Sequence, residues 1–352
     1  MSTYKEIANR ANVSIGTVYR VAHNRGRVAK ATEERVRKAI EECGYKRNIY
    51  ASNLSRQKVY RFGILMPRTH LNSGYWREPY RGAMHAGEEL AKYRVETEAF
   101  LYDEGSVRSF DYYVRKAADS ALDGILIAAV TPAMNGSALE RLPPEVPRIY
   151  FDSETDDPDA VCFVGQDSYG SGRLAAHLMA MIVPAGATVI ALHTVLGRVR
   201  TGSRTHHMTD RVRGFVDRAS EGSGFAVHEI AVDVGRGRAG FVQAIGDAVE
   251  AAPETAGLFI SNSDIHLAVD AMSSLGRDAP DRVRYIGYDV VPPNRRYLED
   301  GTIQFLLGQR PFEQGYRGIH LLHRHVVLKE QCPRTIILPT DIITRENVAD
   351  HE

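Results

Sequence analysis

The alternation of short apolar runs with amphipathic segments from residue 61 onward constrains the fold more than any other feature of this sequence. The runs at Phe62–Met66, Gly124–Ala128 and Arg148–Phe151 are typical of buried strands, and helical periodicity marks 79–93. Strands and helices that alternate in this way form parallel sheets covered by helices. Because roughly ten such strands exceed what one compact sheet holds, we expect two similar α/β lobes.

Polar and aromatic side chains follow several of these predicted strands. Ligands of open α/β sheets bind at the carboxyl ends of the strands. Carboxylates accept pairs of hydroxyl donors, a glutamine side chain both donates and accepts, and flat rings stack on the apolar faces of sugars. The pattern therefore predicts a polyol or sugar site rather than a phosphate site. Its candidate residues are Tyr75, Trp76, Asp152, Asp264, Asp289 and Gln309.

A formal net charge of zero conceals a strong asymmetry along the chain. Residues 1–61 contain 14 Lys+Arg and 5 Asp+Glu, a net charge of +9, whereas the remainder contains 30 and 39, a net charge of −9. A small basic head on an acidic body is typical of a head that contacts a polyanion. A solvated basic surface with no such partner is the alternative explanation of the charge alone.

The basic head has the pattern of three short helices. Residues 4–11 place apolar side chains on one helical face, 15–23 do the same, and a third helix is expected from Thr32, as N-cap, to Cys43. Between the first two helices, Asn12 tolerates a left-handed turn and Ser14 is suited to capping the second helix. Two helices joined by such a turn, with a third bracing them, form a helix-turn-helix, although a plain three-helix bundle shares the pattern. The charge and the outward Arg20 favour DNA.

These residues resemble a known family. The stretches at 4–24 (YKEIANRANVSIGTVYRVAHN) and 32–45 (TEERVRKAIEECGY) resemble the DNA-binding head of the lactose-repressor/galactose-repressor (LacI/GalR) family. Residues 61–350 resemble the effector domain of that family and the ribose-type periplasmic binding proteins, with YWREPYRG at 75–82 and IGYD at 286–289 in the expected order. The resemblance implies an α/β fold: an N-terminal all-α helix-turn-helix head, then a two-lobed periplasmic-binding-protein type I effector domain with two Rossmann-like parallel sheets.

The resemblance also implies roles in DNA binding. It places Ile15, Gly16 and Arg20 at base-reading positions, with Arg20 suited to pair with a guanine. Leu54 falls where the family inserts a leucine into the minor groove from a hinge helix. Tyr19 departs from the small serine usual there, and either reaches a phosphate or alters docking. The full set is Ser14, Ile15, Gly16, Thr17, Tyr19, Arg20, Asn24 and Leu54.

For the effector site, the resemblance implies the six strand-end residues already named. The chain departs from the family at one ligand position. The family's ligand arginine falls at Thr209 of this chain, so either Arg211 or His207 takes its place or the charge is absent. Asn262 is an alternative to Asp264, because the spacing there is ambiguous by a residue or two.

We predict four segments: a head at 1–46, a hinge helix and linker at 47–60, an N-lobe at 61–166 plus 310–333, and a C-lobe at 167–309 plus 334–352. The expected partners are double-stranded operator DNA, a small sugar or polyol effector, and a second copy of the chain. A dimer is favoured over a tetramer because no heptad pattern follows Glu352. We expect a cytoplasmic protein with no membrane association.

The competing functions are a sugar-binding protein without a regulatory role and a Rossmann-type enzyme. Gly170–Ala175 fits the loose G-x-G-x-x-A pattern, but no acidic residue ends the next strand to hold a ribose. The pair His206-His207 has no third ligand at metal spacing. We therefore expect no enzymatic activity, no cofactor and no metal.

Overall fold

The structure is a computed structural model, and it describes residues 4–22, 26–43, 58–69, 74–130, 134, 138–154, 156–195, 206–222, 224–233, 237–276 and 283–351. The chain divides into two compact units, Met1–Lys58 and Val59–Glu352. The predicted hinge helix, with Leu54, and the candidate Asn24 lie outside the described residues.

The first unit contains three helices, α1 (Tyr4–Ala11), α2 (Ile15–Ala22) and α3 (Lys30–Glu42). Their inward faces bury a small apolar core. Asn12 adopts φ 52°, the left-handed turn that the sequence predicts, and the Ser14 hydroxyl accepts a hydrogen bond from the Thr17 amide at 3.2 Å. The predicted cap of α3 is wrong: the helix is preceded by Ala29 and already includes Thr32. The core is formed by Ile7, Ala8, Ala11, Val18, Val21, Val36 and Ala39.

The second unit contains two six-stranded sheets, one in each lobe. The N-lobe sheet has the order β11-β5-β4-β3-β1-β2, and the C-lobe sheet has the order β12-β10-β9-β8-β6-β7. All described pairings are parallel except β10 with β12, as expected for a sheet built from strand–helix–strand units. The strands are β1 (Tyr60–Pro67), β2 (Val95–Tyr102), β3 (Gly124–Ile127), β4 (Arg148–Phe151), β5 (Cys162–Gln166), β6 (Thr188–Val195), β7 (Ala226–Asp233), β8 (Thr255–Ile260), β9 (Arg284–Tyr288), β10 (Phe305–Gly308), β11 (Thr335–Leu338) and β12 (Asp341–Ile343).

Helices cover the sheets and begin after the strands. The helices are α4 (Arg77–Leu90), α5 (Val107–Asp119), α6 (Ser168–Ile182), α7 (His206–Ser220), α8 (Gly237–Ala251), α9 (Ile265–Ser274), α10 (Pro292–Glu299) and α11 (Pro311–Leu322). A single π-helical turn, His323–Val327, continues α11. Among the described residues, no helix has the length and apolarity that crossing a membrane requires.

The chain passes between the lobes three times, after β5, after β10 and after β11. The third passage corrects the predicted domain boundary. The sequence predicts that residues 334–352 belong to the C-lobe, but β11 pairs with β5 of the N-lobe, with Ile336 opposite Val164. The chain returns to the C-lobe with β12, which pairs with β10, and Val348 then packs in the C-lobe core. Four residues of β11 contain too little pattern to show which sheet edge they join.

Candidate DNA-binding surface and ligand site

The outward face of α2 carries the predicted base-reading residues. Val18 and Val21 are buried against the other two helices, which leaves Ile15 50% exposed and Tyr19 42% exposed. Gly16 and Arg20 are exposed on the same helix. Ser14 and Thr17 share a hydroxyl–hydroxyl hydrogen bond of 3.0 Å at the start of the helix. The described head therefore presents an accessible helix face of the kind that enters a major groove.

The Arg20 side chain lies along its own helix. Its Nε donates to the Gly16 carbonyl at 3.3 Å and a terminal nitrogen donates to Thr17 Oγ1 at 3.4 Å. Both contacts are long, and no carboxylate within the described residues pairs with Arg20. The Arg20 guanidinium therefore loses little interaction energy when it turns from these contacts to a base edge. Tyr19 packs edge-on against Tyr4, with ring centroids 6.4 Å apart.

In the second unit, a buried polar cluster in the N-lobe surrounds Asp152. The Tyr75 hydroxyl donates to Asp152 Oδ1 at 2.6 Å, and the Ser153 hydroxyl donates to Oδ2 at 3.1 Å. Trp76 lies edge-on to both Tyr75 and Phe151, at 5.0 and 6.2 Å between ring centroids. The strand β4 ends immediately before Asp152. The aromatic pair Tyr75 and Trp76 therefore lies beside this carboxylate at the carboxyl end of the strand.

The matching cluster in the C-lobe surrounds Asp289, directly after β9. Asp289 Oδ2 accepts from the Ser263 hydroxyl at 2.7 Å and from Gln309 Nε2 at 2.8 Å. Gln309 is the residue predicted after β10, and it is nearly fully buried. The sequence did not indicate Ser263; its position at a strand end, after Ile260, was the available signal.

Arg211 links the Asp289 cluster to Gln166, which ends β5 of the N-lobe. Its guanidinium donates to the Ser261 carbonyl at 2.8 Å, to Gln166 Oε1 at 3.3 Å and to Gln309 Oε1, and it lies 4.0 Å above the Tyr288 ring. This side chain is 1% exposed, a position that a cation keeps only with several acceptors around it. Of the three residues considered for the family's ligand arginine, Arg211 occupies the centre of the group.

His207 contacts the N-lobe instead. Its Nδ1 lies 3.1 Å from the Ser153 hydroxyl, which in turn donates to Asp152. Thr209 is partly exposed on the same helix, α7. Both Ser153 and Gln166 belong to the site in the structure, and the sequence indicated neither as a ligand residue.

Asp264 and Asn262 lie at the start of α9. Asn262 Nδ2 donates to Asp264 Oδ2 at 2.8 Å and to Thr194 Oγ1 at 2.7 Å. The two candidates for this ligand position, Asp264 and Asn262, are therefore hydrogen-bonded to each other. Ser263, which lies between them in the chain, donates to Asp289 instead. Both Asn262 and Asp264 are half-buried at the C-lobe strand ends.

Burial sets the protonation chemistry of the site. It raises the pKa of Asp289 to about 6, against the lowering effects of Ser263 and Arg211, and it also raises the pKa of Asp152. Burial and the nearby Asp152 carboxylate hold the Tyr75 pKa well above its usual value, so its hydroxyl remains a donor at neutral pH. The site therefore offers two buried carboxylate acceptors, one from each lobe, with neutral and cationic donors between them. This combination suits a ligand with several hydroxyl groups.

A cavity of about 670 Å³ opens from this cluster. Tyr75 and Asp289 form part of its wall, and the remaining wall comes from both lobes. The volume suits a small organic molecule. In the part of the chain that the structure describes, no group of three His, Cys, Asp or Glu side chains is arranged to hold a metal ion.

A helix-turn-helix unit followed by two parallel α/β lobes with a polar cleft between them defines a ligand-responsive DNA-binding regulator. Comparison with known proteins agrees. Residues 62–330 match the model of the periplasmic binding protein domain, and residues 3–48 match the model of the bacterial regulatory proteins of the lacI family. The chain belongs to the LacI family of transcriptional regulators, with a periplasmic binding protein domain as its second part.

Relatives match this chain over nearly their whole length. The chain is 22% identical to the HTH-type transcriptional repressor PurR of Aliivibrio salmonicida over 352 residues, 99% of both proteins. It is 23% identical to the ribose operon repressor of Halalkalibacterium halodurans over 354 residues, covering 100% of this chain and 98% of that protein. Among solved structures, a putative LacI transcriptional regulator from Bacteroides fragilis superposes with a TM-score of 0.71 at 23% identity, over 84% of this chain and 100% of that one.

Proposed function

We propose that this regulator is a homodimeric repressor whose affinity for operator DNA is set by a small sugar or cyclitol bound between the N-lobe and the C-lobe. The observation that carries the proposal is the burial of two carboxylates, Asp152 from one lobe and Asp289 from the other, beside one shared cation, Arg211. The name of one full-length relative, a ribose operon repressor, supports a sugar as the ligand class.

On the DNA side, α2 enters the major groove. Arg20 exchanges its two long contacts within the helix for a bidentate pair with guanine, which offers two acceptors there. Ile15 and Gly16 contact thymine methyl groups or permit close approach of the helix. Ser14 and Thr17 bind phosphates. Two such heads in a dimer read half-sites about one helical turn apart.

Three further DNA-binding roles follow from the resemblance to the family. Tyr19, exposed beside Arg20, reaches a phosphate. Asn24, two residues after α2 in the chain, binds the DNA backbone, and Leu54 wedges into the minor groove from the hinge helix that the resemblance implies. Phosphate contacts fix the register of the head on DNA, and base contacts select the sequence.

On the ligand side, the hydroxyl groups of the effector donate to Asp152 and Asp289 and accept from Arg211 and Gln309. The aromatic pair of Tyr75 and Trp76 lies beside the Asp152 carboxylate, where it packs against the apolar face of a sugar ring. Asp264, at the start of α9, is the outer contact of the C-lobe.

Switching follows from differential binding. An effector that contacts both carboxylates favours the closed arrangement of the lobes, and closure shifts the DNA affinity by the coupling free energy, about 1–3 kcal/mol in typical allosteric proteins. We expect the effector to release the operator. The regulator acts in the cytoplasm, where bacterial genomic DNA lies, and needs no cofactor or catalytic step.

The test is a thermal-shift screen of sugars and cyclitols on the full chain, followed by fluorescence anisotropy with a DNA fragment selected from genomic sequence. A ligand that binds the folded state raises the melting temperature by mass action. The expected result is a sugar that both stabilises the chain and changes its DNA affinity. A sugar that stabilises the chain without changing DNA affinity supports a sugar-binding protein without a regulatory role. Consumption of a ligand in the same samples supports an enzyme.

A further inference from the structure

The cavity of about 670 Å³ extends outward from Tyr75 and Asp289, and its outer wall is rich in arginine. Charged side chains from both lobes line it, so the distribution of their charges determines what the outer half binds. The arginines belong to α4, to α10 and to the connection between β10 and α11. The carboxylates belong to α4, α10, α11 and β12. The charged lining residues, besides Asp289, are Arg77, Glu78, Arg295, Arg296, Glu299, Arg310, Glu313 and Asp341.

The acidic residues of the outer wall are already paired. Arg295 binds Glu299 at 2.8 Å, and Arg310 binds Asp341 through two hydrogen bonds of 2.8 and 3.0 Å. Glu78 binds Arg81 at 3.2 Å, from one turn further along α4. The last acid, Glu313, contacts Arg317 and also lies 3.5 Å from Arg310. Each carboxylate of the outer wall therefore has its own cation, and these pairs contribute no excess negative charge.

Two cations remain. Arg77, the first residue of α4, comes from the N-lobe, and Arg296, on α10, comes from the C-lobe. Both line the cavity and are exposed, and within the described residues neither has a carboxylate in salt-bridge range. Arg296 only overlies the neighbouring Tyr297 ring, at 5.8 Å. The outer wall therefore offers two uncompensated guanidinium groups, one from each lobe.

The backbone adds to this positive potential. Helices α4, α10 and α11 begin with Arg77, Pro292 and Pro311, and all three residues line the cavity. The N-terminus of a helix carries a partial positive charge and favours an anion close to its first turn. Glu78 and Glu313 already lie in the first turns of α4 and α11, so the start of α10, which has no acidic residue in its first turn, acts in the same direction as the two arginines.

We propose that the effector is a phosphorylated sugar or polyol, whose hydroxyl groups occupy the Asp152–Asp289 cluster and whose phosphate monoester occupies the outer cavity between Arg77 and Arg296. The inference rests on the proposed function and specifies its ligand. A carboxylate presents two oxygens in one plane and a single negative charge, which suits one guanidinium in a bidentate pair. A phosphate monoester presents three terminal oxygens and more negative charge, so it suits two arginines, one from each lobe.

Because the two arginines come from different lobes, the phosphate also affects the equilibrium between the open and closed arrangements of the lobes. A group held by one residue of each lobe binds the closed arrangement better than the open one, and only such differential binding shifts the equilibrium. Hydroxyl groups bound by the Asp152–Asp289 cluster already link the two lobes. A phosphate bridge at the outer edge increases the same preference.

The direct test is isothermal titration of the full chain with matched pairs: D-ribose and D-ribose 5-phosphate, D-glucose and D-glucose 6-phosphate, and D-glucuronate as the carboxylate analogue. Inorganic phosphate alone is titrated as a fourth probe. In the pair whose sugar fits, we expect the phosphate ester to bind at least about tenfold more tightly, the effect of one charge-assisted contact. Glucuronate is expected to bind less tightly than the corresponding phosphate ester.

Variants separate the arginines from a general effect of charge. Arg77→Ala and Arg296→Ala each weaken binding of the phosphate ester about tenfold and leave the parent sugar unchanged. The matched control is Arg115→Ala, on α5 away from the cavity, which removes an exposed arginine paired with Asp111. This control leaves both ligands unaffected.

The failures are distinguishable. If a neutral sugar binds and alters DNA affinity while its phosphate ester binds no better, or if the arginine variants match the control, the phosphate assignment is overturned and the proposed function stands. If no sugar of either class changes DNA affinity, the proposed function itself fails.

Discussion

Asp152 and Asp289 occupy equivalent positions in the two lobes. Each follows the third strand from the same edge of its sheet, and each has a left-handed backbone, with φ 63° and φ 62°. The Asp152 amide donates to the Val164 carbonyl, and the Asp289 amide donates to the Leu307 carbonyl, both at 3.1 Å. A non-glycine residue rarely adopts this conformation, and its occurrence at both carboxylates marks a site where backbone strain is retained. The two lobes thus present their acceptors by the same local geometry.

The helix crossings repeat as well. In the N-lobe, Gly82 of α4 and Gly315 of α11 bring the two backbones together, and in the C-lobe Gly172 of α6 and Gly214 of α7 do the same. A β-carbon at any of the four would overlap a backbone carbonyl oxygen of the facing helix. The C-lobe crossing has a functional consequence, since the carbonyl facing Gly172 is that of Arg211.

Replacement of Arg20 tests the recognition helix. Arg20→Ala is expected to weaken specific DNA binding by about 1–3 kcal/mol, because it removes a bidentate pair to guanine. Fluorescence anisotropy with a selected operator and a scrambled duplex measures the loss. Arg37→Ala, which removes an arginine paired with Glu33 on α3, is the control. Equal operator affinity in Arg20→Ala and this control contradicts a base-reading role.

The titration of Asp289 gives a pH prediction. Its pKa rises from 3.8 to about 6 on folding, so the folded state retains a proton that the unfolded state has lost between these values. The free energy of unfolding therefore falls as the pH rises from about 4 to 6, by roughly 3 kcal/mol from this group. Denaturant unfolding across this range measures the slope.

Asp289→Asn removes the titrating group, so its slope is expected to be smaller than that of the wild type; the part due to Asp152 remains. Asp247→Asn, at an exposed site on α8, serves as the control. A slope for Asp289→Asn equal to that of the wild type shows that burial of Asp289 does not set the pH dependence.

Gln166 is expected to couple the ligand site to the movement between lobes. Its Nε2 donates to Thr340 Oγ1 at 2.7 Å and contacts the Gly308 carbonyl at 3.4 Å, so it touches all three passages of the chain between the lobes. Its Oε1 accepts from Arg211. Gln166→Ala is predicted to reduce the factor by which the effector changes DNA affinity, typically about 5- to 150-fold, toward one.

Parallel titrations of effector and DNA measure this factor. Gln243→Ala, on the exposed face of α8, is the control. An unchanged factor in Gln166→Ala excludes this residue from the coupling, whatever the variant does to stability.

The glycines at the two helix crossings predict different effects on effector binding for the same Gly→Ala substitution. Gly172→Ala and Gly315→Ala each force two helices apart and are expected to lower the free energy of unfolding by about 1–3 kcal/mol or more. Only Gly172→Ala displaces the backbone of Arg211, so only this variant loses effector affinity beyond its loss of stability. Calorimetry with and without effector separates the two effects. Similar effector affinities in both variants indicate that Arg211 does not depend on the crossing.

Local pattern was sufficient for much of this structure. Strong apolar runs defined β1, β3 and β4 within two residues, and the turn at Asn12 followed from the few residue types that accept a positive φ. The strand-end rule identified Asp152, Asp289 and Gln309, since residues that follow parallel strands converge at one edge. The half-buried strand β2 and the helix α5 were not identified, because their apolar residues are interspersed with charged ones.

The sequence by itself determined the two-part organisation, the helix-turn-helix and the strand-end carboxylates, because each depends on residues close together in the chain. Only the tertiary structure decided that Arg211, Gln166, Ser153 and Ser263 complete the site, that β11 belongs to the N-lobe, and that Arg77 and Arg296 share a cavity. Apart from the bond between the neighbours Ser153 and Asp152, each of these depends on contacts between residues far apart in sequence. Such contacts are fixed by how the sheets and helices pack together, and neither periodicity nor spacing records that packing.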